Sequence, residues 1–119
     1  MAEAHKSKLD NAVTAVRPSE TMVDLATTRP GTPGGVFMRQ FWHAIHRSED
    51  LLAGQAKPIR IMSEDYTLYR GASGRPHVID NRCPHRHAPM HLGWVAGDDL
   101  RCVYHGWKFD CFGQCIDHA

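Results

Sequence analysis

Beyond about residue 40 the chain alternates between short runs rich in apolar side chains and clusters of turn-forming residues. Pro58-Ile59-Arg60-Ile61-Met62 changes side with a period of two, as a half-buried strand does. Tyr66-Thr67-Leu68-Tyr69-Arg70 and Pro76-His77-Val78-Ile79-Asp80 flank Gly71-Ala72-Ser73-Gly74 and predict a hairpin. Phe41-Trp42-His43-Ala44-Ile45 is a further strand candidate. Leu100-Arg101-Cys102-Val103 and Trp107-Lys108-Phe109-Asp110 predict strands on either side of a loop, and Phe112 to Ile116 a turn with one more strand. Many short strands joined by glycine-rich turns predict a mainly β domain, a small antiparallel sandwich or barrel.

Upstream the pattern changes. Residues 1–30 hold few large apolar side chains and read as a leader, either disordered or a frayed helix over Ala2 to Ala15. Arg29-Pro30-Gly31-Thr32-Pro33-Gly34-Gly35 is rich in helix breakers. Within it, Thr32 followed by Pro33 has the form of an N-cap with proline at the first helical position. A short helix is expected from there to about Gln40, weakened by its two glycines. The domain proper is then 31–119. No internal repeat is visible.

Composition narrows the function classes. A chain of 119 residues with 42% hydrophobic and 23% charged residues is one ordinary globular domain. Fourteen basic against thirteen acidic side chains give no surface suited to nucleic acid. No apolar run is long enough for a membrane span, and Met1 to Val16 lacks an apolar signal core, so the expected location is cytoplasmic.

The chemistry lies in Cys83-Pro84-His85-Arg86 and Cys102-Val103-Tyr104-His105-Gly106-Trp107. Each stretch holds one cysteine and one histidine within four residues, and sixteen residues separate His85 from Cys102. Donors at i and i+2 cannot share a helix face, so Cys83 and His85 require a tight loop, where Pro84 fixes φ between them. Gly106 lets the backbone approach a thiolate or sulfide closely enough for N–H groups to donate to it. Two thiolates and two imidazoles from two loops are the donor set of a Rieske [2Fe–2S] centre, in which two histidines replace two cysteines on one iron. A structural zinc site is the alternative. Zinc modules, however, usually pair cysteine with cysteine and histidine with histidine, whereas each stretch here mixes the two. Cys111 and Cys115, flanking Phe112-Gly113-Gln114, read as free thiols beside a turn.

From about Thr32 onward the chain resembles the N-terminal Rieske domain of the large subunits of Rieske non-haem iron ring-hydroxylating oxygenases. Pro33-Gly34-Gly35-Val36-Phe37-Met38-Arg39-Gln40-Phe41-Trp42 is similar to that family's first helix and strand. Cys83-Pro84-His85-Arg86 is similar to its first ligand loop, Cys102 to Asp110 to its second, and Gly113-Gln114-Cys115 to the turn that follows. The resemblance implies that Cys83 and Cys102 bind one iron and His85 and His105 the other. Arg86, Tyr104, Gly106 and Trp107 would surround them.

High-potential respiratory relatives carry an additional cysteine in each loop and hydroxyl donors after the second histidine. Arg86, His87 and Ala88 follow His85, and Trp107 and Phe109 stand where those hydroxyls would be, so a low reduction potential is expected. One departure is His87, where the family commonly has a small residue. His87 and His91 are expected to be exposed or locally satisfied histidines.

The resemblance also implies partners. A reductase or ferredoxin would donate electrons. His105 would pass them to a mononuclear Fe(II) in an oxygenase catalytic domain, for aromatic ring hydroxylation or a related hydroxylation or demethylation. That iron needs two histidines and a carboxylate, and no pattern in the chain supplies them. The chain is therefore expected not to be a complete oxygenase alone, and to lack apolar cover at its end. The readings left open are an oxygenase fragment or truncated product, a self-contained ferredoxin-like carrier, and the zinc module. Substrate and oligomeric state stay undetermined, although full-length relatives usually form trimers.

Overall fold

The computed structural model describes residues 23–118, so most of the expected leader lies outside it; residues 23–32 contain neither helix nor strand. Helix α1 spans Pro33–Met38. Thr32 is its N-cap, with Oγ1 accepting a hydrogen bond from the Gly35 N–H at 3.1 Å. The helix stops two residues short of the expected end. Arg39 follows it and braces this region, its guanidinium donating to the carbonyls of Thr28, Gly35 and Met62 and pairing with Glu64 at 2.6 Å.

Two antiparallel sheets follow. The first has the order β1-β2-β3, formed by Ala56–Ile61, Glu64–Arg70 and Pro76–Asp80. The second has the order β4-β5-β6-β7, formed by Trp94–Ala96, Asp99–Arg101, Lys108–Phe109 and Cys115–Asp117. The expected mainly β sandwich is therefore observed, without closure into a barrel. The β2–β3 hairpin is in the expected place, with Tyr66 opposite Asp80 and Arg70 opposite Pro76.

Phe41 to Ile45, expected as a strand, is not one. A strand needs a neighbouring edge to satisfy its backbone, and among the described residues this segment joins no ladder. It runs instead as extended coil, and Phe41, Trp42 and Ile45 are exposed. Two elements were not expected. Met62 and Ser63 form the β1–β2 turn with φ of 49° and 70°, a pair of left-handed residues without the usual glycine. Strand β4 is short and pairs only with β5.

The core joins the two sheets. Tyr69, Ile79, Met90, Leu100 and Phe109 are buried together with Cys83 and Cys102. The Tyr69 hydroxyl donates to the Asp98 carbonyl at 3.0 Å, and the Ala72 N–H to the Gly97 carbonyl at 2.8 Å, so the tip of one hairpin is fastened to the tip of the other. Buried Asn81 closes the other end. Its side-chain oxygen accepts from Thr67 at 2.9 Å and contacts the His91 ring nitrogen at 2.8 Å.

Two loops leave this core on neighbouring backbones, and their construction is the same. In the first, the Cys83 N–H donates to the Ala88 carbonyl at 3.0 Å and the His87 N–H to the Cys83 carbonyl at 2.7 Å. In the second, the Cys102 N–H donates to the Trp107 carbonyl at 2.8 Å and the Gly106 N–H to the Cys102 carbonyl at 3.0 Å. The fourth residue after each cysteine is left-handed, His87 at φ 56° and Gly106 at φ 74°. The arginine before each cysteine donates to the carbonyl of that left-handed residue, Arg82 at 3.2 Å and Arg101 at 2.7 Å. Arg82 bridges to Pro89 and Arg101 pairs with Lys108, seven residues on in each case. The chain thus contains a structural repeat that its residues alone did not disclose.

A left-handed L-residue costs roughly 1–2 kcal/mol, less for histidine than for bulkier side chains. Gly106→Ala should therefore lower stability by about 1 kcal/mol or more, with no steric clash because a Cβ there meets nothing within 4 Å. His87→Gly should be neutral or stabilising by up to about 1 kcal/mol. Gly93→Ala should cost more than either, because its Cβ would run into the Arg101 carbonyl at the base of the second loop. Urea denaturation of the three variants checks this order; equal costs at Gly93 and Gly106 would refute it.

Candidate functional site

Each loop turns its thiol inward and its imidazole outward. Cys83 and Cys102 are each 2% exposed and belong to the core, whereas His85 and His105 are exposed. The two thiols are within hydrogen-bonding reach of one another. The two imidazoles lie side by side with ring centroids 4.7 Å apart. Two strand ends thus bring together donors that are sixteen residues or more apart in the chain.

The surroundings differ between donor types. Burial pushes the Cys83 thiol above its ordinary range, while the backbone N–H groups of His85 and Arg86 donate towards its sulfur and pull the other way. The nearby Cys102 adds to the upward push. A thiol held protonated in this way loses its proton when a cation binds it. His85 lies below the ordinary histidine range. Loss of solvent is the main cause, followed by the adjacent His105 and the Arg86 guanidinium. The two shifts act differently: the Cys83 sulfur must lose its proton to bind a cation, whereas lowering favours the neutral, binding form of the His85 imidazole.

Aromatic contacts hold the imidazoles. The Trp107 indole stacks on His85 with centroids 4.5 Å apart and planes 6° from parallel. Tyr104 lies against His105 at 3.8 Å, and His118 approaches Trp107 at 5.6 Å. Trp107 belongs to the second loop yet contacts the histidine of the first, so it ties the two together. Gly106 provides the backbone turn, and its carbonyl accepts from the Arg101 guanidinium.

The two thiols are therefore brought together, as are the two imidazoles, and Tyr104 and Trp107 lie against the imidazoles. Arg86 is near enough to influence His85, although its side chain is exposed. His87 is exposed, and His91 is half-buried and occupied by Asn81. Cys111 and Cys115 are free. His118 and Arg82 were missed; Arg82 could have been found from the shared Arg-Cys start of the two stretches. Among the described residues no group of three or more histidine, cysteine or acidic side chains gathers around a single ion. The donors come instead as a pair of thiols and a pair of imidazoles. That division suits a two-iron centre, which asks each iron for two protein donors. A groove of about 270 Å³ lies away from these loops, between Ile45 to Leu51 and the first sheet. No described helix is long and apolar enough to cross a membrane.

Comparison with known proteins agrees with this arrangement. The family model of the Rieske [2Fe-2S] domain matches residues 41–119. The 5,5'-dehydrodivanillate O-demethylase oxygenase subunit of Sphingobium sp. is 44% identical over 93 residues, covering 78% of this chain and 22% of that protein. The 3-chlorobenzoate-3,4-dioxygenase oxygenase subunit of Comamonas testosteroni is 43% identical over 96 residues, covering 79% and 22%. Among solved structures, apo dicamba monooxygenase superposes with a TM-score of 0.62 at 33% identity, covering 66% of this chain and 24% of that one. The chain thus spans about a fifth of the length of these curated relatives. With its two loops inside the matched region, the chain belongs to the Rieske [2Fe-2S] domain family.

Proposed function

We propose that Cys83, His85, Cys102 and His105 hold a Rieske [2Fe–2S] centre, and that the chain relays single electrons from a reductase or ferredoxin to a mononuclear iron oxygenase site. The observation that carries this reading is the buried thiol pair beside an exposed imidazole pair, centroids 4.7 Å apart, on two loops of identical hydrogen bonding. The oxygenase assignment is supported by relatives that are oxygenase subunits. The reaction served is a ring hydroxylation or a related hydroxylation or demethylation.

When bound, such a centre takes up and releases one electron at a time. The protein's part follows from its residues. Cys83 and Cys102 supply thiolates inside the core, where water is excluded, and the N–H groups of His85 and Arg86 stabilise negative charge on sulfur. His85 and His105 supply imidazoles at the surface, within reach of other proteins. Trp107 fixes the His85 ring by stacking, and His105 stands exposed beside Val103 and Tyr104, whose uncharged surface suits it as the exit ligand towards a catalytic domain. Trp107 and Phe109 offer no hydroxyl, so the reduced centre gains no hydroxyl donor from those positions.

The purified, reduced protein should show the EPR signal of a Rieske centre, with an average g below the free-electron value, and a visible absorption band in the oxidised state. Cys83→Ser, Cys102→Ser and His105→Ala should each abolish it, while Cys111→Ser and Cys115→Ser should not. A colourless, EPR-silent protein, or loss of the signal on changing Cys111 or Cys115, would refute the ligand assignment. The midpoint potential should lie between about −150 and 0 mV; a value above about +150 mV would show that sulfur receives more hydrogen bonds than these loops supply.

A further inference from the structure

The two loops share one backbone but not one charge. In the second loop the Arg101 guanidinium pairs with Asp117 at 2.6 Å, and Lys108 beside it pairs with Asp99 at 2.6 Å. In the first loop, among the described residues, neither Arg82 nor Arg86 has a carboxylate partner, although both are exposed. The nearest acid in sequence, Asp80, uses its side-chain oxygen on the Arg82 backbone N–H at 2.7 Å. Between Asp80 and Asp98 the chain has no acidic residue, two arginines and three histidines. The first loop therefore presents uncompensated positive charge on a protein that is otherwise close to neutral. The second loop presents Val103 and Tyr104, 49% and 59% exposed and uncharged.

Both arginines belong to the loop that carries His85. Arg82 is held against the loop by its bond to the His87 carbonyl, and Arg86 is the residue next to His85. Charge of one sign placed around a small exposed target raises encounter rates with partners of the opposite sign and orients them. From this we infer that Arg82 and Arg86 form the docking surface for an acidic one-electron donor protein, which delivers its electron over His85. The inference rests on the Rieske reading and adds the chemistry of the donor and its side of approach. One electron leaves the donor and one is taken up here; no bond forms or breaks.

The experiment uses the full chain with its centre, verified by EPR before each measurement, and an acidic plant-type [2Fe–2S] ferredoxin as the probe. Binding of the two oxidised proteins is measured by calorimetry at about 0.02 and 0.3 M salt. Reduction is followed by stopped flow with the reduced ferredoxin and, separately, with the cationic methyl viologen radical. Arg86→Glu, whose side chain makes no hydrogen bond among the described residues, should weaken ferredoxin binding and slow reduction by ferredoxin about tenfold at low salt. Arg82→Gln should act in the same direction. The midpoint potential of each variant is measured first, and reduction by methyl viologen should slow no more than any shift in that potential accounts for. Arg60→Glu makes the same change of net charge on strand β1 and should have much less effect. Equal slowing with both reductants would mean an altered centre rather than lost docking and would overturn the inference, as would equal effects of Arg60→Glu and Arg86→Glu. Absence of the EPR signal in the unmodified chain would refute the cofactor reading and this inference together; a normal signal with unchanged binding refutes only the docking surface.

Discussion

Everything at this site depends on a pair of backbone hydrogen bonds made twice. Each loop must reverse within five residues, turn a thiol into the core and leave an imidazole outside. The bond from the cysteine N–H to the carbonyl five residues on, with the return bond from the fourth residue, achieves the reversal. It forces that fourth residue into the left-handed region, and the preceding arginine anchors its carbonyl. These bonds satisfy backbone groups that would otherwise be stranded beside a buried sulfur. They also leave the N–H groups of His85 and Arg86 free to face the Cys83 sulfur. A metal centre held this way is preorganised by main chain, which varies less with substitution than side-chain packing does.

The same cysteines belong to the hydrophobic core. Tyr69 and Ile79 reach them from the first sheet, Leu100 and Phe109 from the second, and Met90 from the segment between. Stability and ligand placement are therefore coupled: a cavity at Leu100 or Phe109 would loosen Cys102 as well as the fold. The coupling runs the other way too. Ligand binding to the folded state alone adds to its stability, so a small domain with two separate sheets draws support from the group it holds.

Much of this is legible in the amino-acid sequence. Mixed Cys/His spacing requires loops, the β2–β3 hairpin follows from alternation around Gly71 to Gly74, and Thr32-Pro33 marks a helix start because capping chemistry is local. The failures have a common cause, in that tertiary partners decide them. Phe41 to Ile45 has strand composition but meets no free edge. Met62 and Ser63 turn without glycine because Arg39 holds the Met62 carbonyl and Glu64 beside it. Strand β4 exists only through its pairing with β5. The repeat of the two loops was hidden because the imidazole stands two residues after Cys83 but three after Cys102, and because histidine occupies in one loop the place glycine takes in the other.

That offset has a consequence for how two equivalent loops come to differ in role. With the backbone held in common, the two loops differ in the side chains they carry and in how those side chains are partnered. The first has Pro84 between its donors, an indole stacked on its imidazole and two arginines without carboxylate partners among the described residues. The second has Val103 and Tyr104 in the longer spacer, an imidazole flanked by a phenol ring, and an arginine neutralised by Asp117. A symmetric frame with asymmetric decoration allows one side to be tuned for a charged, transient partner and the other for an apolar, lasting one. Transient redox contacts favour electrostatic steering because fast arrival and fast departure both matter, while lasting contacts favour buried apolar area. On the proposed reading, the direction of electron flow resides in the surface around each histidine.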